Sequence, residues 1–165
     1  MARGFETMSN YPFYQRDPAI AGNKLGASNL TIGRAGCTTC AVCDGLHFFG
    51  FKITPEFLAA DPNLYTKPGD PQGEGLILWQ ELNKLLPGGF KMIKRNTSRV
   101  DADIIASLKD PNQFVILKVN NGAHWTLALR TLPKNDYLVD DPWTGKKVSA
   151  LSIYHNIVGS VHFGR

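Results

Sequence analysis

Three places in this chain of 165 residues hold side chains that can do chemistry together. Cys37 stands in Gly36-Cys37-Thr38, directly ahead of a stretch with helical character. His124 stands in Gly122-Ala123-His124-Trp125 between two apolar runs, and Asp140-Asp141-Pro142 follows shortly after. A thiolate is a nucleophile, an imidazole can take and return its proton, and a carboxylate can fix the imidazole's tautomer and direction. A Cys at a helix start, a distant His and a later acid are the parts of a cysteine hydrolase, whose chemistry is acyl transfer.

Competing residues separate on position. His47 follows Cys37 by ten residues on the same expected helix, which is about 15 Å along its axis and too far for a base. His155 and His162 lie near the C-terminus with no acid motif after them. In an extended segment the side chains of Asp140 and Asp141 point to opposite faces, so only one can meet His124. Pro142 holds Asp141 extended, which favours it, and Asp140 stays as the alternative. Cys40 and Cys43 continue along the helix and read as core filling. The Cys37-x-x-Cys40-x-x-Cys43 spacing lacks the closing Cys-Pro of an iron–sulfur run, so neither a metal nor another cofactor is expected.

These residues need elements to position them. Residues 38–49 are apolar on several sides and predict a buried helix ending at Gly50, with Gly45 as its weak point. Thr54-Pro55 opens a short second helix, with Thr54 as N-cap. Residues 76–86 show helical periodicity and stop at Pro87-Gly88-Gly89. Residues 90–94 predict a strand, 101–108 a short helix, and 114–119, 124–130 and 136–140 three strands; 153–163 add a strand pair around Gly159. Helices first and an antiparallel meander afterwards make an α+β fold, with N-terminal helices packed on a C-terminal sheet. In that layout the nucleophile sits at a helix N-terminus, which carries about half a positive charge and favours a nearby anion.

Composition sets limits on partners. A hydrophobic content of 43% and a charged content of 19% suit one domain over residues 1–165, with 1–10 as a flexible N-terminus. The net charge is +4 and the pI near 9.0, but the basic residues are scattered, so nucleic acid is not an expected partner. Three cysteines within seven residues do not make a disulfide scaffold. No stretch has the length and apolarity of a signal peptide or a membrane span, which leads us to expect synthesis in the cytoplasm without a signal.

The ordered set Tyr14-Gln15-Arg16-Asp17-Pro18, Leu25-Gly26, Thr31-Ile32-Gly33, Gly36-Cys37-Thr38, Gly122-Ala123-His124-Trp125 and Asp141-Pro142 resembles one group of papain-fold cysteine peptidases. These are relatives of the bacteriocin-leader (double-glycine) processing peptidases, and the resemblance runs from about Tyr11 to Arg165. It implies a papain-like fold and a peptidase or amidase activity. Cys37 would be the nucleophile, His124 the base, Asp141 the orienting acid and Gln15 the oxyanion-hole glutamine. Two departures bear on the substrate pocket: Thr38-Thr39-Cys40 replaces the family's small turn, and Ala19-Ile20 stands where a tryptophan is common.

A free-standing domain of this kind suits a phage-encoded enzyme that cuts peptide cross-links of the cell wall. Its substrate would be peptidoglycan, and its protein partners would be those of a virion or tail. The alternatives are a non-catalytic virion or assembly subunit that retains the fold, and acyl transfer to an amine acceptor on the same triad.

Overall fold

The central helix forms from a segment with few polar side chains to keep in water. In the computed structural model, which describes residues 11–165, α2 (Cys37–Phe48) buries nine of its twelve residues. The N-terminal residues 1–10, expected to be flexible, lie outside the described residues. α1 (Ile32–Ala35) leads directly into α2, and α3 (Pro55–Ala59) begins as predicted, with the Thr54 hydroxyl accepting the Phe57 N–H at 3.2 Å.

Six strands follow: β1 (Lys91–Asn96), β2 (Gln113–Val119), β3 (His124–Leu132), β4 (Asp136–Asp141), β5 (Lys146–Ser149) and β6 (Ile157–Gly164). They form one antiparallel sheet in the order β1-β6-β2-β3-β4-β5. The protein is therefore α+β, as expected. The expected meander holds for β2 to β5, and β6 departs from it by inserting between β1 and β2.

Alternation along β2 explains its continuous apolar run. Phe114 and Ile116 join the core under α2, whereas Val115, Leu117 and Val119 join a second core on the opposite face. That second face is covered by α5 (Asp101–Lys109) and by α6 (Ala150–Tyr154), through Ile104 and Ala150. The helices thus pack on both faces of the sheet, not on one.

Three local expectations give way to tertiary contacts. The helix expected over residues 76–86 shrinks to α4 (Trp79–Asn83), because residues 76–78 pair instead with the preceding loop. Thr66 N–H bonds to the Leu76 carbonyl at 2.9 Å, and Leu78 N–H to that of Leu64 at 2.8 Å. The strand pair around Gly159 is a helix followed by one strand: Ser149 caps α6 by accepting the Ser152 N–H at 3.1 Å, and His155 ends it at φ 65°. Strand β5, with two lysines in its four residues, carries no apolar alternation and was not foreseen.

Gly45 is required by packing. The Phe114 ring occupies the space a Cβ would fill. Gly45→Ala gains about 1 kcal/mol of helix propensity but overpacks the core, which typically costs 1–3 kcal/mol or more. Urea denaturation should show a net loss of up to about 2 kcal/mol; a stabilised variant would contradict this packing account.

Candidate active site

Gly36 joins α1 to α2 and so determines where Cys37 stands. Its N–H closes on the Ile32 carbonyl at 2.8 Å, and a Cβ there would lie 2.6 Å from the same oxygen. Only glycine lets the two helices meet this closely, which is the physical content of the Gly-Cys pair. Cys37 is then the first residue of α2, and its backbone N–H has no acceptor within the helix. The thiol, 9% exposed, lines a cleft of about 590 Å³ together with Gln15, His124, Trp125, Trp143 and Tyr154.

His124 opens β3 after a 3₁₀ turn, Asn120–Gly122, in which all three residues take positive φ. Its Nε2 lies 2.6 Å from Asp141 Oδ1, at the end of β4. With Nε2–H donated to the carboxylate, Nδ1 is the nitrogen left for the thiol. Burial pulls the imidazole's pKa down, but the bond to Asp141 and the neighbouring Cys37 thiol outweigh it and raise it to about 9. An imidazolium that persists at neutral pH is the counter-ion a thiolate needs.

The register separates the two aspartates. Asp140 stands opposite Leu127, whose side chain belongs to the core under α2, so Asp141 takes the other face. Asp141 accepts four hydrogen bonds: from His124 and the Trp143 N–H (3.1 Å) on Oδ1, and from Thr144 Oγ1 (2.9 Å) and Tyr154 Oη (2.7 Å) on Oδ2. Burial works against its charge, but the bonds from His124 and Tyr154 hold its pKa below the usual carboxylate range. The bond to the Trp143 N–H makes an Asx turn, which Pro142 presets.

Gln15 is buried and reaches the same cleft. Its N–H bonds to the Pro142 carbonyl at 2.9 Å, and Arg16 reaches the Trp143 carbonyl at 3.1 and 3.2 Å while stacking on the Trp143 ring. These contacts tie the glutamine to the turn that carries Asp141. Its Nε2 makes long bonds to the carbonyls of Ile32 (3.5 Å) and Gly33 (3.3 Å), and Oε1 has no partner among the described residues.

All four expected site residues therefore meet: Cys37, His124 and Gln15 in one cleft, and Asp141 on His124. Sequence reasoning missed Tyr154, which packs its ring 5.0 Å from that of His124 and bonds to Asp141. No spacing rule points to a residue thirteen positions after the acid. Cys40 and Cys43 are fully buried free thiols, and burial pushes both well up. His47 bonds the Ile53 carbonyl at 2.9 Å, and His162 lies between Ser107 and Ser160.

Asp140 has a different role. It accepts the Tyr11 hydroxyl at 2.9 Å and lies near Asp44 of α2, which accepts the Phe13 N–H at 2.9 Å. Each carboxyl keeps one buried oxygen with no partner among the described residues. Burial raises the pKa of both, and the charge of Asp140 adds to the shift of Asp44. Because ionisation is harder in the folded chain, stability from these groups is lost as pH rises above the usual carboxylate range. Asp44→Asn should flatten that slope, so that the variant gains on the wild type as pH rises from 4 to 8. Thermal melts from pH 4 to 8 check this, and parallel curves for the two proteins would refute it.

Comparison with protein families, with curated proteins and with solved structures found no match to this chain.

Proposed function

We propose that this protein is a cysteine peptidase or amidase of papain-like fold that hydrolyses a peptide or isopeptide bond through Cys37, His124 and Asp141. The observation that carries the reading is the 2.6 Å bond from His124 Nε2 to Asp141, which leaves Nδ1 free in the cleft that Cys37 lines. A nucleophile at a helix start and a base at a strand start support the papain-like assignment, together with the resemblance of the ordered motifs.

The cycle follows from these groups. Cys37 Sγ attacks the scissile carbonyl carbon, and the oxyanion takes hydrogen bonds from the Cys37 N–H and the Gln15 amide. One such donor is worth about 3–4 kcal/mol in related chemistry. His124 Nδ1–H then protonates the amine as the C–N bond breaks, leaving a thioester on Cys37. Water gives its proton back to His124 as it attacks the thioester, which releases the acid and restores the ion pair. Asp141 holds the ring's direction throughout.

The substrate class we propose is the peptide part of bacterial cell wall, cut by a phage-encoded enzyme carried on the virion; the resemblance of the motifs supports this. Zymography on bacterial cell walls tests it. Clearing by the wild-type protein and none by Cys37→Ala is expected, and equal clearing by both would overturn the reading.

A further inference from the structure

The cleft that Cys37 and His124 line is also walled by two tryptophans. Trp79 of α4 and Trp125 of β3 meet edge to face with centroids 5.9 Å apart. Lys118 stands directly opposite Trp125 in the β2–β3 pair, with its Nζ 5.6 Å from that ring. Arg95, on the edge strand β1, holds its guanidinium 5.8 Å from the Trp79 ring. Between these two strands β6 presents Gly159 opposite Lys118, so no side chain projects from that position against the lysine stem.

Charge in this region is unbalanced. Arg34, Arg95 and Lys118 all line the cleft, and among the described residues none has an acidic partner within 4.0 Å. Glu74 is the one carboxylate among the described cleft-lining residues, and it is taken up by the Asn29 N–H. The two ring contacts sit near the outer reach of a cation–π interaction, about 6 Å, so the cations are free to leave the rings for a stronger anionic partner. Uncompensated like charges around one cleft do nothing for the fold, and an anionic guest relieves their repulsion. Trp125 lines the same cleft as Cys37 and His124, which brings this wall near the reacting centre.

We propose that Arg95 and Lys118, above the Trp79–Trp125 floor, form a carboxylate-binding subsite that selects peptides carrying an acidic group next to the bond that is cut. The aromatic floor takes the backbone or the methylene groups of that residue, and the two cations take its carboxylate. The inference rests on the peptidase reading for the nature of the substrate, but the subsite stands on its own residues.

The test uses the full chain with Cys37→Ala, which leaves peptides uncut. Capped heptapeptides of alanine and glycine, with a single Glu, Gln or Lys moved along the sequence, are titrated against tryptophan fluorescence and by calorimetry. At the best position the Glu peptide should bind roughly tenfold tighter than its Gln twin, as expected for a hydrogen-bonded charge pair in a partly exposed site. Adding Arg95→Gln and Lys118→Gln should erase that contrast, as should about 0.5 M salt. Equal binding of Glu and Gln peptides, a contrast that survives the double substitution, no saturable binding of any Glu peptide, or tighter binding of an oligothymidylate would each overturn the proposal. A Glu preference in binding with no hydrolysis by the wild-type chain would sink the peptidase reading and leave the subsite. Hydrolysis without charge preference would do the opposite.

Discussion

Cys37→Ala is expected to reduce amide hydrolysis by roughly four to six powers of ten, because no other thiol lines the cleft among the described residues. Its folding stability should stay within about 1 kcal/mol of wild type, since the thiol lies on the cleft wall and outside both core clusters. Alkylation should follow the same geometry. Iodoacetamide should label Cys37 in the folded protein and spare Cys40 and Cys43, which are fully buried and whose thiols burial pushes up. Mass spectrometry of peptides after brief labelling distinguishes the three sites. Equal labelling of all three, or full hydrolytic activity in the alanine variant, would remove Cys37 from the mechanism.

The second large effect lies at Asp141. Asp141→Asn keeps the shape but loses the charge that holds the imidazolium, and kcat/KM should fall by roughly three to four powers of ten. The same change should bring the His124 titration down from about 9 toward the ordinary imidazole value near 6.5. Because the folded-state value is raised, the stability His124 contributes is fully present below about 6.5 and is lost as pH rises through about 9. The Asp141 value is lowered, so its contribution is present above the ordinary carboxylate range and is lost in acid. The ion pair therefore supports both the fold and the proposed reaction between those limits. In the asparagine variant the alkaline loss of stability should shrink, leaving the part due to Cys37. Asp140→Asn, whose side chain faces Tyr11 and not His124, should leave the His124 titration where it is. Histidine NMR titration of both variants decides the matter, and a shift caused by Asp140→Asn alone would reverse the assignment of the acid.

Much of the fold was legible because its signals are local. Gly50 and the Thr54-Pro55 pair bracket α2 and α3, and alternation marks β3 and β4, so these elements lie within a few residues of expectation. The elements that escaped depend on partners distant in sequence. Strand β5 is polar and becomes a strand only because β4 offers it an edge. Residues 76–78 carry a helical pattern, yet hydrogen bonds to residues 64–66 hold them extended. The placement of β6 between β1 and β2 has no local signature at all, since it depends on which sheet edge the chain returns to.

The site divides in the same way. Sequence alone singled out Cys37 and His124 as candidate nucleophile and base, with the rule that only one of two adjacent aspartates can meet the histidine, because these follow from residue chemistry and from the two-residue period of a strand. Tertiary structure decided that Asp141 is the one, through a register set across β3 and β4. It also supplied Tyr154 to hold that acid, buried Asp140 against Tyr11 at a separation of 129 residues, and brought Arg95, Lys118, Trp79 and Trp125 into one cleft. Periodicity reports only which face of its own element a residue occupies. Which faces then meet is settled by how the whole sheet and its helices close over two hydrophobic cores, and no stretch of sequence carries that information by itself.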